Sequence, residues 1–558
     1  MKVVIIGGVA GGASAAARLR RLDEKADIVL IERGDYVSYA NCGLPYYIGG
    51  EITEKSALAV QTPESLRRRL GLDVRTGNEV VEIDPARKVI MVLETETGTI
   101  YSESYDKLIL SPGAEPIRPP IPGADDPRVF TLRSIPDTYA ISEYIEKNKP
   151  RRVLVVGAGY IGLEMVENLS KAGLEVIVAE LASHVIAPLD EDIASDVHHY
   201  LKSMGVRLLL NNGVKAIEPK KDSLLVQLNY DDVSVDMVLM SIGVTPESSL
   251  AKAAGLELGP KGAIVVDDTL RTSDEHIYAV GDAVQVINRV SGLSSYIPLA
   301  GPANKQGRIA ADNIAGIHRT YKGTQGSAIL KLFDMTVGST GLNEAAVQAG
   351  GLDYDKVFLS PSSHAGYFPG AGSMSMKILF EKPSGKLLGA QIVGFGGVDK
   401  RLDVLGMAIS QGLTAEDLTE LELAYAPPFS SAKDPVNMAG YIIQNILEGL
   451  VHQFHWHDVE NLQSQNAQIL DVRTPLEYAG GYIEGAIHIP VDDLRENIQF
   501  LDKNKPVYIY CHSGVRSYYA CRILEAYGFR TFNLGGGFRL YSSIALDNST
   551  DLSCATCN

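Results

Sequence analysis

Two of the five cysteines stand where a thiol could do chemistry. Cys42 closes the string Ser38-Tyr39-Ala40-Asn41-Cys42 and is followed by Gly43-Leu44-Pro45. That pattern suggests a turn or helix start, whose N–H groups favour a thiolate. No second cysteine lies four or five residues away, so Cys42 cannot close a local disulfide. A lone redox thiol cycles through a mixed disulfide with a small thiol, or through sulfenic acid. Cys511 opens the loop Cys511-His512-Ser513-Gly514-Val515-Arg516-Ser517, delivered by the apolar run Val507-Tyr508-Ile509-Tyr510. Amides in such a loop form an anion nest suited to a thiolate or a persulfide. Cys521 falls inside the following helix and reads as a packed residue. Cys554 and Cys557 form a C-x-x-C with too few ligands for a closed zinc site, and no metal is expected.

The elements that carry these thiols are spread over a chain too long for one core. At 558 residues, about three to four domains are expected. A hydrophobic content of 45% and a charged content of 21% describe an ordinary globular protein. The formal charge of −17 argues against nucleic acid as a partner, because phosphate neutralisation needs basic surface. No apolar run reaches the ~18 residues of a membrane span. The first residues, MKVVIIGG, enter a strand directly and leave no room for a signal peptide. Five cysteines in so long a chain suit a reducing, cytoplasmic compartment.

Two strand–glycine-loop–helix units dominate the chain. One is KVVIIGGVAGGASAAARLRRL followed by ADIVLIERG; the other is RRVLVVGAGYIGLEMVENLSKAG followed by LEVIVAEL. Each glycine turn lets backbone N–H groups and a helix N-terminus approach a pyrophosphate. The second unit fits G-x-G-x-x-G with Gly157, Gly159 and Gly162, and Glu180 ends the next strand, placed for a ribose 2′-OH. A 2′-phosphate would face that carboxylate with no following arginine to offset it, so NADH is favoured over NADPH. The first unit matches at Gly7 and Gly12 but has Val9 at the middle position, with Gly8 and Gly11 beside it. Glu32 at the end of the next strand strengthens that unit. So does Gly281-Asp282, a strand-end carboxylate able to bind a chain of hydroxyls.

With these motifs in place, residues 1 to about 445 resemble the FAD-dependent pyridine nucleotide–disulfide oxidoreductases. The resemblance implies an α/β fold with two Rossmann-like nucleotide-binding domains and an α+β dimerisation domain. It implies FAD on the first unit, held by Gly7, Gly8, Gly11, Gly12, Glu32, Arg33, Arg133, Gly281, Asp282 and Ala283. It implies NAD(P)H on the second, held by Gly157, Gly159, Tyr160, Gly162, Glu180 and Gly243, with Tyr160 shielding the flavin until nicotinamide binds. The string YANCGLPYYIGG is similar to the coenzyme A-disulfide reductase branch. Oxidase and peroxidase relatives usually carry a histidine where this chain has Ala10. By the same resemblance, Ser14, Arg18, Arg21, Ser38, Asn41 and Lys433 line a coenzyme A site. Arg67, Arg68 and Arg69 add a second basic cluster. In the enzymes this chain resembles, the tyrosines matching Tyr367 and Tyr425 come from the partner subunit and point at the redox cysteine, so the resemblance implies an obligate homodimer.

Residues from about 458 resemble a rhodanese domain through Asp471-Val472-Arg473-Thr474-Pro475 and Gly485-Ala486-Ile487-His488-Ile489-Pro490. Cys511 to Arg516 is C-x4-R, the short loop of rhodaneses, where related phosphatases use C-x5-R. The expected layout is 1–120 with 245–324 for FAD, 121–244 for NAD(P)H and 325–445 for dimerisation. A linker at 446–457 and the α/β rhodanese domain at 458–558 complete it. The expected activity is reduction of coenzyme A disulfide and coenzyme A persulfide or polysulfide through a Cys42–S–S–CoA mixed disulfide. Cys511, with Arg516, would carry or deliver sulfane sulfur. An NADH oxidase or peroxidase with a regulatory rhodanese domain, and a non-enzymatic flavin redox sensor, are the alternatives.

Overall fold

In the computed structural model, the described residues are 1–553, with side chains described to residue 548. Cys554 and Cys557 lie outside them. The chain divides into two compact units: residues 1–181 with 205–326, and residues 182–204 with 327 onward.

The first unit holds two five-stranded parallel sheets. One runs Ile277–Ala279, Lys107–Leu110, Lys2–Ile6, Asp27–Ile31, Asp73–Arg75 in spatial order. The other runs Arg207–Leu209, Glu175–Ala179, Arg152–Val156, Met237–Met240, Val129–Phe130. Their central strands, KVVII and RVLVV, are near-continuous apolar runs because a parallel sheet is covered on both faces. Val3, Val4, Ile5, Val153, Leu154 and Val155 are fully buried. Each sheet has its own three-stranded antiparallel partner, at residues 78–104 and 214–235. The two crossovers pair as a short antiparallel ribbon, Ala114–Pro116 with Val244–Pro246.

The helix Ala10–Leu22 follows the first glycine turn and packs on Ala300–Ile314. Small residues set how close they come: a Cβ on Gly307 would lie 2.2 Å from the Gly11 carbonyl oxygen.

The second unit contains a five-stranded antiparallel sheet, in the order Ala328–Leu332, Met335–Gly341, Leu387–Gly394, Met374–Glu381, Tyr354–Leu359. The helices Val398–Gln411 and Pro435–Leu447 belong to the same unit. A parallel sheet follows: Gln453–Phe454, Thr531–Leu534, Val507–Tyr510, Gln468–Asp471, Ile487–His488. Its edge strand lies inside the stretch read from sequence as a linker. Phe454 is buried there, edge-on to Tyr508 at 5.3 Å between ring centroids, and that packing makes a strand of a polar, histidine-rich run. No helix among the described residues is long and apolar enough to cross a membrane.

Candidate active sites

The two glycine loops are built alike. Gly7 and Gly157 both have φ of +95°, a left-handed backbone that favours glycine. A Cβ on Gly12 would meet the Gly7 oxygen at 1.9 Å, and one on Gly162 would meet the Gly157 oxygen at 2.1 Å. Having no Cβ, these glycines let each helix start lie close against the turn. Gly159 differs: nothing lies within 4 Å of where its Cβ would be, so the loop's outer side is open to close approach. The strand-end glutamates close both loops. Glu32 accepts from the amides of Gly8 (2.9 Å) and Gly34 (3.0 Å), and Glu180 from Ala158 (2.7 Å).

Gly281 turns with φ of +82° and donates to Gln306 at 2.7 Å, presenting Asp282 and the buried Ala283 at the strand end. Burial pushes the Asp282 carboxyl up, while Arg133 pulls it down. Arg133 also donates to the Pro112 oxygen at 3.1 Å, and both Arg133 and Arg33 pair with Glu115. Burial, with the Asp282 charge, pushes the Tyr296 phenol far up, and its buried hydroxyl has no hydrogen-bond partner among the described residues. A phosphate-accepting turn, a partly desolvated carboxylate and an orphaned buried hydroxyl fit a large dinucleotide with a polyhydroxyl chain. Gly243, with φ of +112°, and the half-buried Tyr160 flank the second loop's strand and helix.

Cys42 sits in a single 3-10 turn, Asn41–Gly43, that leads into the helix Leu44–Ile48. The backbone of Ser38 ties this segment to the first glycine loop. Its amide donates to the Gly8 oxygen at 2.8 Å, its oxygen accepts from Val60 at 2.9 Å, and its φ of 47° is rare for a residue with a side chain. The thiol and Asn41 are exposed. The expectation of a favoured thiolate fails in this state: desolvation pushes the Cys42 thiol up, and the carboxylates of Glu164 and Asp282 push it further. A single helix turn's N–H groups do not offset two like charges.

Glu164, not singled out from sequence, is itself pushed up to about 7, by burial first and then by Glu167. The available signal was its place one helical turn after Tyr160, which puts both on one face of the helix Tyr160–Lys171. The Cys42 thiol thus lies within electrostatic reach of a carboxyl that can hold a proton near neutrality. Replacing Glu164 by Gln removes a like charge, so the thiol pKa should fall. In flavin-stripped protein, the pH profile of Cys42 alkylation by iodoacetamide should move to lower pH. An unmoved or raised midpoint would contradict the electrostatic account.

The residues expected around coenzyme A separate into two groups. On the helix Ala10–Leu22, Ser14 donates to Asn304 at 2.5 Å and Arg18 pairs with the fully buried Asp312 at 2.6 Å. Arg21 is exposed, as are Arg67, Arg68 and Arg69. In the second unit, Tyr367 and Tyr425 meet hydroxyl to hydroxyl at 3.0 Å although 58 residues apart in sequence. Both rings are exposed, with Phe368 and Phe429 also exposed. That bond pushes the Tyr367 phenol up. Lys433 is exposed, just before Asp434, whose side chain caps the helix Pro435–Leu447.

Cys511 ends the strand Val507–Tyr510 and is almost fully buried. Its sulfur accepts from the Gly514 amide at 3.1 Å and the Ser517 hydroxyl at 3.3 Å. Gly514, with φ of +105°, turns the loop into the helix Val515–Ala526. Arg516 engages Glu477 with both terminal nitrogens, at 2.6 and 2.7 Å. Gly514, Ser517 and Glu477 were not singled out from sequence; the C-x4-R loop and the Thr-x-x-Glu capping pattern at Thr474 were the signals for them. Cys521 packs in the core of this sheet.

Residues 1–307 match the pyridine nucleotide-disulphide oxidoreductase family, residues 327–435 its dimerisation domain, and residues 457–543 the rhodanese-like domain. The chain is 36% identical over 441 residues to the coenzyme A disulfide reductase of Staphylococcus haemolyticus, covering 79% of this chain and 98% of the relative. The crystal structure of reduced Bacillus anthracis CoADR-RHD superposes with a TM-score of 0.96 at 48% identity, covering 98% of each chain. An NAD-dependent persulfide reductase from A. fulgidus gives 0.91 at 38% identity, over 97% of this chain and 100% of that one. With two glycine cradles, a lone exposed thiol and a dimerisation domain in one chain, the protein belongs to the pyridine nucleotide-disulphide oxidoreductase family and carries a rhodanese-like domain after it.

Proposed function

We propose that the protein is an FAD-dependent, NADH-using reductase of coenzyme A disulfide and coenzyme A persulfide. The single observation that carries this reading is Cys42: an exposed lone thiol, its loop tied by Ser38 to the first glycine cradle, with Cys511 and Cys521 as the other described free thiols. The relatives named for coenzyme A disulfide and persulfide reduction support the substrate class. Glu32, Gly281, Asp282, Ala283, Arg33 and Arg133 would hold FAD; Glu180 and Gly159 would hold NADH, the carboxylate of Glu180 disfavouring a 2′-phosphate. Bound flavin supplies the two-electron relay from the nicotinamide to the thiol side.

The chain's own residues do the rest. Cys42 thiolate attacks the coenzyme A-bearing sulfur of CoA–S–SH, forming Cys42–S–S–CoA as HS⁻ leaves. Two electrons, in net terms from NADH, then break that disulfide and restore Cys42 and CoA as thiolates. With disulfide as substrate the leaving group is a CoA thiolate instead. Glu164 can hold a proton beside Cys42. In a homodimer, the hydrogen-bonded Tyr367 and Tyr425 of a second copy would donate to the leaving thiolate, and Ser14, Arg18, Arg21, Ser38, Asn41 and Lys433 would contact coenzyme A. Cys511 carries sulfane sulfur as a persulfide under the Gly514 amide and the Ser517 hydroxyl. The three described cysteines are unpaired, consistent with a reducing, cytoplasmic setting.

The test is NADH turnover with coenzyme A disulfide, coenzyme A persulfide, oxygen and hydrogen peroxide, repeated with NADPH. The two coenzyme A acceptors should dominate, with NADH ahead of NADPH. Dominant oxygen or peroxide turnover would replace this reading with an oxidase or peroxidase.

A further inference from the structure

The mouth of the Cys511 loop is neutral although it is rich in arginine. Three arginines surround it, and each is already paired. Arg516 is held by Glu477 in a two-pronged ion pair. Arg473 lies 4.0 Å from the Phe538 ring and is bound to the fully buried Asp471 at 2.6 Å. Arg539, whose amide donates to the His512 oxygen at 3.0 Å, is paired with both oxygens of Asp196 at 3.0 Å. Desolvation holds the His512 imidazole below its usual range; the three arginines add to that while Glu477 opposes it. Glu477 cannot easily turn away. One of its oxygens also accepts from the amide (3.0 Å) and hydroxyl (2.8 Å) of Thr474 at the start of the helix Pro475–Ala479. Once Cys511 ionises, the group of Cys511, Arg516 and Glu477 carries a net negative charge.

The sequence neighbours of this pair are apolar and exposed. Leu476, next to Glu477, is 85% exposed, and Val515, next to Arg516, is 50% exposed. Tyr519, one helical turn from Val515, is 54% exposed.

We propose that the Cys511 loop takes sulfane sulfur from an organic persulfide rather than from a small inorganic dianion such as thiosulfate, and that Glu477 sets this preference by neutralising Arg516. This rests on the reading of Cys511 as the sulfur carrier. In the transfer, Cys511–S⁻ attacks the terminal sulfur of R–S–SH. A sulfur–sulfur bond forms on Cys511, the sulfur–sulfur bond of the donor breaks, and R–S⁻ leaves with its carbon–sulfur bond intact, giving Cys511–S–SH. No external oxidant or reductant is needed. A thiosulfate dianion approaching the same thiolate meets Glu477 as a second like charge, and both terminal nitrogens of Arg516 are already engaged by that carboxylate. Glu477 is a positioning residue here, acting through Arg516.

The experiment uses the full-length holoenzyme without NADH. Sulfur loading on Cys511 is followed by peptide mass spectrometry, with 2-hydroxyethyl persulfide and thiosulfate as donors and Cys511→Ser as the blank. The native protein should load from the persulfide at least ~10-fold faster than from thiosulfate, a barrier difference of about 1.4 kcal/mol or more. Glu477→Gln keeps an acceptor for Thr474 and frees Arg516. It should raise thiosulfate loading about tenfold and leave persulfide loading within about twofold. Equal use of both donors by the native protein, or an unchanged donor ratio in Glu477→Gln, overturns the proposal. Should the variant fold poorly, a salt series on the native protein decides: thiosulfate loading should rise with ionic strength as repulsion is screened, and a flat or falling series overturns the proposal. Loading that persists in Cys511→Ser would instead overturn the sulfur-carrier reading itself.

Discussion

Cys42→Ser should abolish NADH-driven release of sulfide from coenzyme A persulfide, and of coenzyme A from its disulfide. The loss should be on the order of 10³-fold or more, about 4 kcal/mol of barrier. Serine is close in size, and the Cys42 side chain is exposed, so the turn Asn41–Gly43 and its backbone bonds should survive. What is lost is a sulfur able to form and break a disulfide. The first glycine cradle and Asp282 are untouched, so the variant should still bind flavin, and NADH should still bleach it. That pairing of outcomes separates the proposed role from simple misfolding. Full turnover in the variant would sink the mixed-disulfide scheme. Loss of flavin with loss of turnover would leave a structural role as the simpler account.

The second large effect is on stability. Lys377 is fully buried in the strand Met374–Glu381, and its ammonium meets both Asp192 oxygens at 2.8 and 2.9 Å, Asp190 at 2.9 Å, and Glu344. Lys356 adds a second cation on Glu344 at 2.7 Å. The lysine pKa is driven up: burial opposes the charge, but Asp192, Asp190 and Glu344 outweigh it. Glu344, despite burial, is pulled down to about 2 by Lys377 and Lys356. Lys377→Met keeps the chain volume and strips the charge, leaving three crowded carboxylates with one cation. Removing one partner of such a buried set costs about 3–5 kcal/mol.

The sign in pH follows from the depressed carboxyl. Its contribution in the native protein is present above the ordinary carboxyl range and fades as pH falls toward about 2. The gap between native protein and variant should therefore be widest near neutrality and narrow in acid. Calorimetry across pH would check it, following the transition of the unit that contains residues 327 onward. A gap that stays constant with pH would mean lost packing rather than unpaired charge.

The parallel sheets were legible because covered strands must be apolar along their length, as in KVVII and RVLVV, and because each ends in a glycine turn. The short C-x4-R loop was legible because one residue more or less changes the size of the cradle. The edge strand Gln453–Phe454 was not legible: its polar run shows no alternation, and only Phe454 finding Tyr508 makes it a strand. The thiolate expected at Cys42 failed for a related reason. Local spacing shows a helix start, but Glu164 and Asp282 come from elements more than a hundred residues away in the chain.

Residue order along the chain was enough to name the chemistry: a lone thiol beside a dinucleotide cradle, a second thiol in a short anion loop, and a tyrosine in each of two aromatic motifs. These are short-range patterns, set by φ, loop length and helix period. Only the tertiary structure brought Tyr367 to Tyr425, set Glu477 against Arg516, and placed two carboxylates against Cys42. Charge acts through space rather than along the backbone. The protonation of a thiol, and which donor a cradle accepts, are therefore decided by residues that the sequence keeps far apart.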